Sequence, residues 1–247
     1  MNATLQRHQT EIQRNKSAWE NKPVLREIYA GFYERIARQI DRSIPGRILE
    51  IGSGIGHLKS RLPEALSSDV FFNPWLDVVG DAYEIPFAGG TMSHLVLFDV
   101  FHHLEAPKCF LKEARRVLTE KGRLILFEPY ISRCSFPVYR WLHPEPVAWR
   151  QPINLAETLP RPRAYYAAQG NATRLFFRRE SPAALEGWTI VHAEAIASFS
   201  YLFSGGFSKP CFYPVSRLPW LQRLDQRLSR RPKAFGARCL VVLTPAR

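Results

Sequence analysis

The residues with the clearest chemical meaning lie at 47–58, which read RILEIGSGIGHL. An apolar run that carries Glu50 leads into a turn built from Gly52, Gly54 and Gly56, and a helix-like stretch follows. Glycine at such a turn permits unusual backbone angles and lets a ligand approach the main chain closely. The pattern therefore predicts a strand, a ligand-binding turn and a short helix in succession.

The acid before the turn narrows the class of ligand. A turn that binds the pyrophosphate of a dinucleotide reads GxGxxG, with an acid roughly 20 residues later. Here the glycines alternate, and the carboxylate of Glu50 is a poor neighbour for a phosphate but a suitable one for a cationic or amine-bearing ligand. This points away from nicotinamide dinucleotides and toward S-adenosylmethionine (SAM), which carries a sulfonium and an ammonium but no phosphate.

The elements that must position this turn are also visible in the sequence. Predicted helices cover residues 23–41, 56–66 and 106–118. Predicted strands are RILEI, residues 66–70 and 77–79, SHLVLFDV and GRLILFEP, followed late in the chain by residues 188–199 and 239–245. Because strands alternate with helices and the longer strands are almost wholly apolar, we expect a parallel sheet covered on both faces.

The regular alternation stops after Pro129. Residues 130–187 carry seven prolines and no strong periodicity, and regular structure is predicted again from Trp188. We therefore expect one α/β domain in four parts: a flexible N-terminus at 1–22, a SAM-binding half at 23–129, a substrate cap at 130–187, and a final part at 188–247.

Charge is unevenly distributed along the 247 residues. The net charge is +12, and residues 130–247 hold 17 basic and 6 acidic side chains, a net of +11. Such a surface favours an anionic partner, although a solvated basic face without a partner is an equal alternative. The polar first residues do not resemble a signal peptide, no apolar run approaches roughly 20 residues, and the four scattered cysteines predict neither zinc nor disulfides, so we expect a cytoplasmic protein.

Four motifs in fixed order carry a resemblance to a known family. They are LEIGSGIG, GDAYEIPF, HLVLFDVFHHL and FLKEARRVLTEKGRLILFEP. Together they resemble the class I SAM-dependent methyltransferases, and within these the methyltransferase type 11 group, over residues 24–129. The resemblance implies a Rossmann-like methyltransferase fold, which is α/β with a doubly wound, mostly parallel seven-stranded sheet, with the Pro/Arg-rich cap between strands five and six. It also implies methyl transfer from SAM to a small-molecule acceptor.

The resemblance further implies which residues bind the cofactor. They are Glu50, Gly52, Ser53, Gly54, Gly56, Asp69, Asp81, Ala82 and Asp99. In this assignment Glu50 supports the amino group and Asp81 bonds the adenine amine. Asp69 binds the ribose, with Asp77 as the alternative, and Asp99 faces the reactive methyl group.

A hydroxyl acceptor would need a base near the methyl group. The candidates, in falling order, are His102, His103, Asp99 and His143. Adjacent residues at a helix start point in different directions, and no third ligand has suitable spacing, so we expect no metal at His102 and His103. Further candidates for the acceptor side are Glu128, Tyr165 and Tyr166, with Tyr29 and Tyr33 as a lid over SAM; for each of them simple packing is the alternative.

Two groups of arginines could meet an anionic partner. One group lies in the cap (Arg161, Arg163, Arg174, Arg178, Arg179), and the other on a late amphipathic helix (Arg223, Arg227, Arg230, Arg231). The first group predicts a small anionic acceptor, and the second predicts contact with an anionic membrane surface. Alternatives of other classes are a methyltransferase acting on RNA or another nucleic acid and a non-catalytic SAM-binding protein. The nucleic-acid alternative is less favoured. DNA methyltransferases that modify amino groups have an Asn/Asp-Pro-Pro-Tyr type motif after the fourth strand, where this chain has Asp99-Val-Phe-His.

Overall fold

Strands with apolar side chains on both faces build the centre of the fold. The computed structural model describes residues 3–159 and 165–246. Its strands are β1 (Arg47–Ile51), β2 (Leu66–Asp69), β3 (Val78–Val79), β4 (Met92–Phe98), β5 (Leu118–Pro129), β6 (Trp188–Ala197) and β7 (Gly236–Pro245). Its helices are α1 (Ala3–Asn21), α2 (Pro23–Ala37), α3 (Pro107–Val117), α4 (Ser135–Pro137), α5 (Phe199–Phe203), α6 (Leu218–Leu228) and α7 (Pro232–Phe235).

The seven strands form one sheet in the order β3-β2-β1-β4-β5-β7-β6. The pairs from β3 through β5 are parallel, whereas β7 runs antiparallel to both β5 and β6. This confirms the predicted mostly parallel, seven-stranded α/β sheet. The strand order reverses between β1 and β4, and in open α/β sheets a ligand site lies beyond the carboxyl ends of the strands at that point.

Each face of the sheet packs against its own apolar layer. Along β5, Leu124 and Leu126 join a core with α3, while Ile125 and Phe127 join a core with α2 on the other face. The same alternation along β7 places Val241 with the α3 layer. Burial on both faces explains why these strands read as continuous apolar runs rather than as alternating ones.

The N-terminal expectation differs from the structure. Residues 1–22 were expected to be flexible, but α1 is a helix in which Ile12 and Ala18 are buried. At the end of this helix the Trp19 ring stacks on the ring of His57, with 4.1 Å between centroids. The apolar side of α1 is narrow, so its contacts with the rest of the chain, rather than any strong sequence periodicity, explain the helix.

Two connections near the sheet edge are shorter than a typical helical crossover. The predicted helix at 56–66 is only a 3-10 turn at His57–Ser60, and Pro63 is incompatible with its continuation. Residues 70–77 join β2 to β3 without a helix. No helix within the described ranges is long and apolar enough to cross a membrane.

The late basic helix is joined to α5 by a buried acid. Leu218 and Leu221 of α6 are buried, whereas Arg223 and Arg227 are exposed. Asp225, also buried, accepts hydrogen bonds from the N–H groups of Phe199 (2.7 Å) and Ser200 (3.1 Å) and from the Ser200 hydroxyl (2.6 Å). Asp225 therefore holds the first turn of α5 against α6.

We expect Asp225→Ala to lower the free energy of unfolding by about 2–4 kcal/mol, because two N–H groups and a hydroxyl lose their acceptor in a buried place. Urea denaturation followed by circular dichroism measures this loss. Gln226→Ala is the matched control, since Gln226 is exposed on the same helix. Equal stability of the two variants would contradict the role given to Asp225.

Candidate active site

A cavity of about 690 Å³ opens beyond the carboxyl ends of β1, β2 and β4. Residues 51–55, 69–71 and 98–100 form its wall on the sheet side. Residues of α1 and α2, including Tyr29 and Tyr33, and residues of the segment between β5 and β6, including Tyr165 and Tyr166, form other parts of the wall. The cavity volume is within the range typical of small-molecule sites.

The glycine turn provides backbone rather than side chains to this wall. Gly52 has φ of +71°, and a Cβ on it would stand 2.5 Å from Cγ2 of Val100. Gly54 has φ of +51°, and a Cβ on it would meet no protein atom within 4 Å. Oδ2 of Asp69 accepts a hydrogen bond from the Gly54 N–H at 3.0 Å and so holds the turn in place.

Glu50 lies beneath the turn and is almost fully buried. It does not line the cavity itself, whereas the next residue, Ile51, does. Its Oε2 has no hydrogen-bond partner among the described residues, and burial raises the pKa of its carboxyl to about 8. A buried carboxyl without a full set of partners is compatible with a cationic group bound close by. The turn therefore fits the ammonium group of SAM.

The structure distinguishes the two acids proposed for the ribose. Asp69, at the end of β2, lines the cavity, and burial raises the pKa of its carboxyl. Asp77 lies outside the cavity lining, where it binds Lys59 and the Ser67 N–H, and the hydrogen bond from Lys59 contributes most to lowering its pKa to about 2. Asp81 and Ala82, which the sequence analysis assigned to an adenine site, both line the cavity.

Asp99 ends β4 in a backbone conformation that is unusual for a residue other than glycine. Its φ is +58°, and its N–H donates to the Phe127 carbonyl at 3.0 Å. Its Oδ1 lies 2.6 Å from Nη2 of Arg238, which is 1% exposed. The guanidinium also lies over four aromatic rings at 4.9–5.6 Å from their centroids, those of Phe32, Phe98, Phe127 and Tyr201. Asp99 is therefore bound in an ion pair at the cavity floor.

His102 is buried between two carboxylates. Its Nδ1 lies 2.6 Å from Oε2 of Glu128, and its Nε2 lies 3.2 Å from Oε2 of Glu145. Glu128 is fully buried and also accepts hydrogen bonds from the N–H groups of Val100 (2.8 Å) and Phe101 (2.6 Å). Burial by itself would lower the pKa of His102, but the two carboxylates outweigh it and raise the pKa to about 10.

His103 has a different environment. Its Nδ1 donates to the Tyr166 carbonyl at 3.0 Å, and its Nε2 lies 3.5 Å from Oε1 of Glu145. Burial, together with the charge of His102, lowers the pKa of His103 to about 4. The expectation that the two adjacent histidines point apart is wrong, since their ring centroids are 4.2 Å apart. Contacts of both rings with Glu145 explain why they converge.

Several cavity residues were not found by sequence reasoning. They include Arg238, Glu145, Tyr139 and Tyr201. Arg238 had a usable signal, because a charged residue inside the apolar run ARCLVVL needs a buried partner. Glu145 had a weaker one, as one of only 6 acids in residues 130–247. Each signal marks its residue as unusual. Neither identifies the partner, because the partners lie far away in sequence.

The predicted cap arginines have other contacts. Arg174 is buried and binds Glu180 at 2.6 Å, while Arg178 lies over the ring of Trp149. Neither they nor Arg179 line the cavity formed by the described residues, and Arg161 and Arg163 lie outside the described residues. The basic side chains that do line it are Arg7, Arg14, Lys209 and Arg238.

Comparison with known proteins agrees with this fold. Residues 49–126 match the family described as "Methyltransferase domain". No curated protein matches the chain in sequence. A proposed sarcosine dimethylglycine methyltransferase from Galdieria sulphuraria has the same fold, with a TM-score of 0.56 and 13% identity over 96% of this chain and 98% of that one.

Two further structures share the fold. A proposed methyltransferase in complex with the Trm112 methyltransferase activator, from Haloferax volcanii, gives a TM-score of 0.54 and 14% identity over 96% of this chain and 94% of that one. Phosphoethanolamine N-methyltransferase 2 from Haemonchus contortus, in complex with SAM, gives a TM-score of 0.52 and 12% identity over 88% of this chain and 53% of that one. The matched domain and the fold together support a SAM-dependent methyltransferase. The chain resembles class I enzymes, and over residues 49–126 it resembles the type 11 group.

We expect Glu50→Gln to stabilise the protein at pH 7. The unfolded carboxyl ionises above its ordinary pKa near 4.5, while the folded one keeps its proton until about pH 8. Stability is therefore lost as pH rises between these values, by about 3 kcal/mol at pH 7. Glutamine cannot ionise, so this loss should be absent from the variant.

Denaturation at pH 4.5 and pH 7 measures this effect. The advantage of Glu50→Gln over the native chain should be present at pH 7 and nearly absent at pH 4.5. Glu120→Gln, at an exposed position, is the control and should show no such pH dependence. An advantage of the same size at both pH values would mean that Glu50 is ionised in the folded protein.

Proposed function

We propose that this protein transfers a methyl group from SAM to a small molecule that binds in the aromatic part of the same cavity. The observation that carries the proposal is the continuity of that cavity. It extends from the glycine turn and Asp81 to Asp99, and on to His102 and His103. One space of this kind can hold a methyl donor and an acceptor in contact, which is the main requirement for a direct transfer.

The residues around the glycine turn would hold the cofactor. The open space at Gly54 leaves backbone exposed to a ligand, and Asp69 and Asp81 offer carboxylates to its ribose and its adenine amine. An ammonium group bound close to Glu50 would lower the pKa of this buried carboxyl, which could then supply negative charge beneath it. SAM, when bound, supplies a methyl group that its sulfonium already activates, so the protein mainly has to orient the acceptor and exclude water.

Aromatic side chains make up much of the rest of the cavity wall. They include Tyr139, Tyr201, Phe207 and Phe212. Such a lining suits an acceptor with a flat or apolar body, because aromatic rings bury large areas and stack on other rings. Arg7, Arg14 and Lys209 are the lining cations that could meet an anionic group on this acceptor. The exposed arginines of α6 remain a candidate surface for an anionic membrane.

The side chains near the predicted methyl position differ in what they can do with a proton. Asp99 is paired with Arg238, and the carboxylates of Glu128 and Glu145 hold His102 in its charged form. Neither residue is therefore available to accept a proton from an acceptor. His103 is the candidate for contact with the acceptor, because its Nδ1 donates to a carbonyl and its Nε2 carries a lone pair at the cavity wall.

We expect Gly54→Val to reduce SAM affinity at least 100-fold, because the added side chain would enter the space proposed for the cofactor. The positive φ at this position should cost about 1–2 kcal/mol of stability for any branched residue. Gly90→Val is the matched control: Gly90 also has positive φ (+69°) and open space around its Cβ, but it lies outside the cavity. Both variants should therefore lose similar stability, and only Gly54→Val should lose SAM binding.

Isothermal titration calorimetry with SAM, S-adenosylhomocysteine and NAD measures these affinities. The native chain should bind the first two and not NAD. Tight binding of NAD without SAM, or normal SAM binding by Gly54→Val, would contradict the placement of the cofactor at this turn.

Transfer itself is tested with SAM that carries a radiolabelled methyl group and with separated lipid, polar small-molecule and RNA fractions of a cell extract. We expect label to enter a small-molecule or lipid fraction with the native chain and not with Gly54→Val. Label in the RNA fraction would favour a nucleic-acid methyltransferase instead. SAM binding without label in any fraction would favour a non-catalytic SAM-binding protein.

A further inference from the structure

Two adjacent histidines and one glutamate bring their ligand atoms together at the cavity wall. Nε2 of His102 lies 3.2 Å from Oε2 of Glu145, and Nε2 of His103 lies 3.5 Å from Oε1 of Glu145. One ligand atom from each residue lies within 4.8 Å of the other two. We propose that His102, His103 and Glu145 bind a divalent transition metal ion of the Zn²⁺ type.

The distances between these atoms suit such an ion. Zn²⁺ binds imidazole nitrogen and carboxylate oxygen at about 2.0–2.2 Å, so that ligand atoms at tetrahedral angles are about 3.3–3.6 Å apart. The two nitrogen–oxygen separations of 3.2 and 3.5 Å, which run to the two different oxygens of the Glu145 carboxylate, are close to this range. An ion could therefore enter with only small side-chain movements.

The second nitrogen of each histidine has the partner that a metal-bound histidine usually has. Ligating histidines almost always donate their other N–H to a carboxylate or a backbone carbonyl, which fixes the ring. Here Nδ1 of His102 contacts Glu128 at 2.6 Å, and Nδ1 of His103 contacts the Tyr166 carbonyl at 3.0 Å. Both rings therefore direct Nε2 toward the same point, where the ion would displace the proton that Nε2 of His102 shares with Glu145.

The third ligand is positioned in the same way. Glu145 accepts a hydrogen bond from Nε2 of Gln169 at 2.6 Å and from the Tyr165 hydroxyl at 3.0 Å. All three proposed ligands line the cavity, so a fourth coordination position would open toward it. If the proposed methyl transfer is correct, an oxygen atom of the acceptor could occupy that position; metal binding itself does not depend on that function.

A second group of Asp99, His102 and Glu128 also has its ligand atoms close together. It suits a metal less well, because Asp99 is already bound in an ion pair with the buried Arg238. In the favoured group, two imidazoles and one carboxylate select Zn²⁺, Co²⁺ or Ni²⁺ over Mg²⁺ and Ca²⁺, which prefer oxygen ligands.

The test uses the untagged full chain, freed of metal by a chelator and titrated with Co²⁺ and with Zn²⁺ in the absence of SAM. We expect one ion per chain, a visible Co²⁺ absorption typical of a low-coordinate site, and displacement of Co²⁺ by Zn²⁺ but not by Mg²⁺. His103→Ala and Glu145→Gln should weaken binding at least tenfold. Glu128→Gln, which removes an outer partner, should weaken it about 10- to 100-fold.

His192→Ala is the matched control, because His192 forms a half-buried pair with Glu194 at 3.8 Å, away from the cavity. It should leave metal binding unchanged. X-ray absorption of the Zn²⁺-loaded native chain, which needs no variant to fold, should show two imidazole ligands. Absence of stoichiometric binding, a spectrum without imidazole, or full binding by folded His103→Ala would overturn the proposal. None of these results depends on methyl transfer.

Discussion

The buried ion pair between Asp99 and Arg238 fixes the centre of the site. A guanidinium surrounded by aromatic rings and excluded from water is strongly destabilising without a counter-charge. Asp99 supplies that charge from the end of β4, across β5 from the strand that carries Arg238. Asp99 also has a positive φ, a conformation that persists only when its surroundings enforce it. The pair thereby determines where the chain leaves β4.

The residues that follow Asp99 connect the two parts of the cavity. Val100 packs directly against Gly52 of the turn, and its N–H donates to Glu128. Through its other oxygen Glu128 holds His102, which in turn contacts Glu145. One short segment thus contacts the glycine turn on one side and the histidine and glutamate cluster on the other. A shift in this segment would alter both proposed binding regions.

This site requires ionisable residues to be buried within apolar strands. Glu50, Glu128 and Arg238 all lie in strands that otherwise supply the core, and each is almost fully buried. Glu128 and Arg238 have charged partners, while one oxygen of Glu50 has none among the described residues. Residues that break the local pattern in this way are expected at functional sites, where stability is reduced in favour of binding.

The sequence by itself determined the sheet, the glycine turn and the acids at the ends of β2 and β4, because these depend on local patterns of apolar residues, glycine and acids. It did not determine which of Asp69 and Asp77 faces the cavity, nor that α1 forms a helix. Above all, it did not indicate that Glu145 and Arg238 meet His102 and Asp99. Those contacts depend on the path of an irregular, proline-rich segment and on the antiparallel return of β7. Only tertiary structure decides such contacts, since residues far apart in sequence form them and no local periodicity encodes their distance.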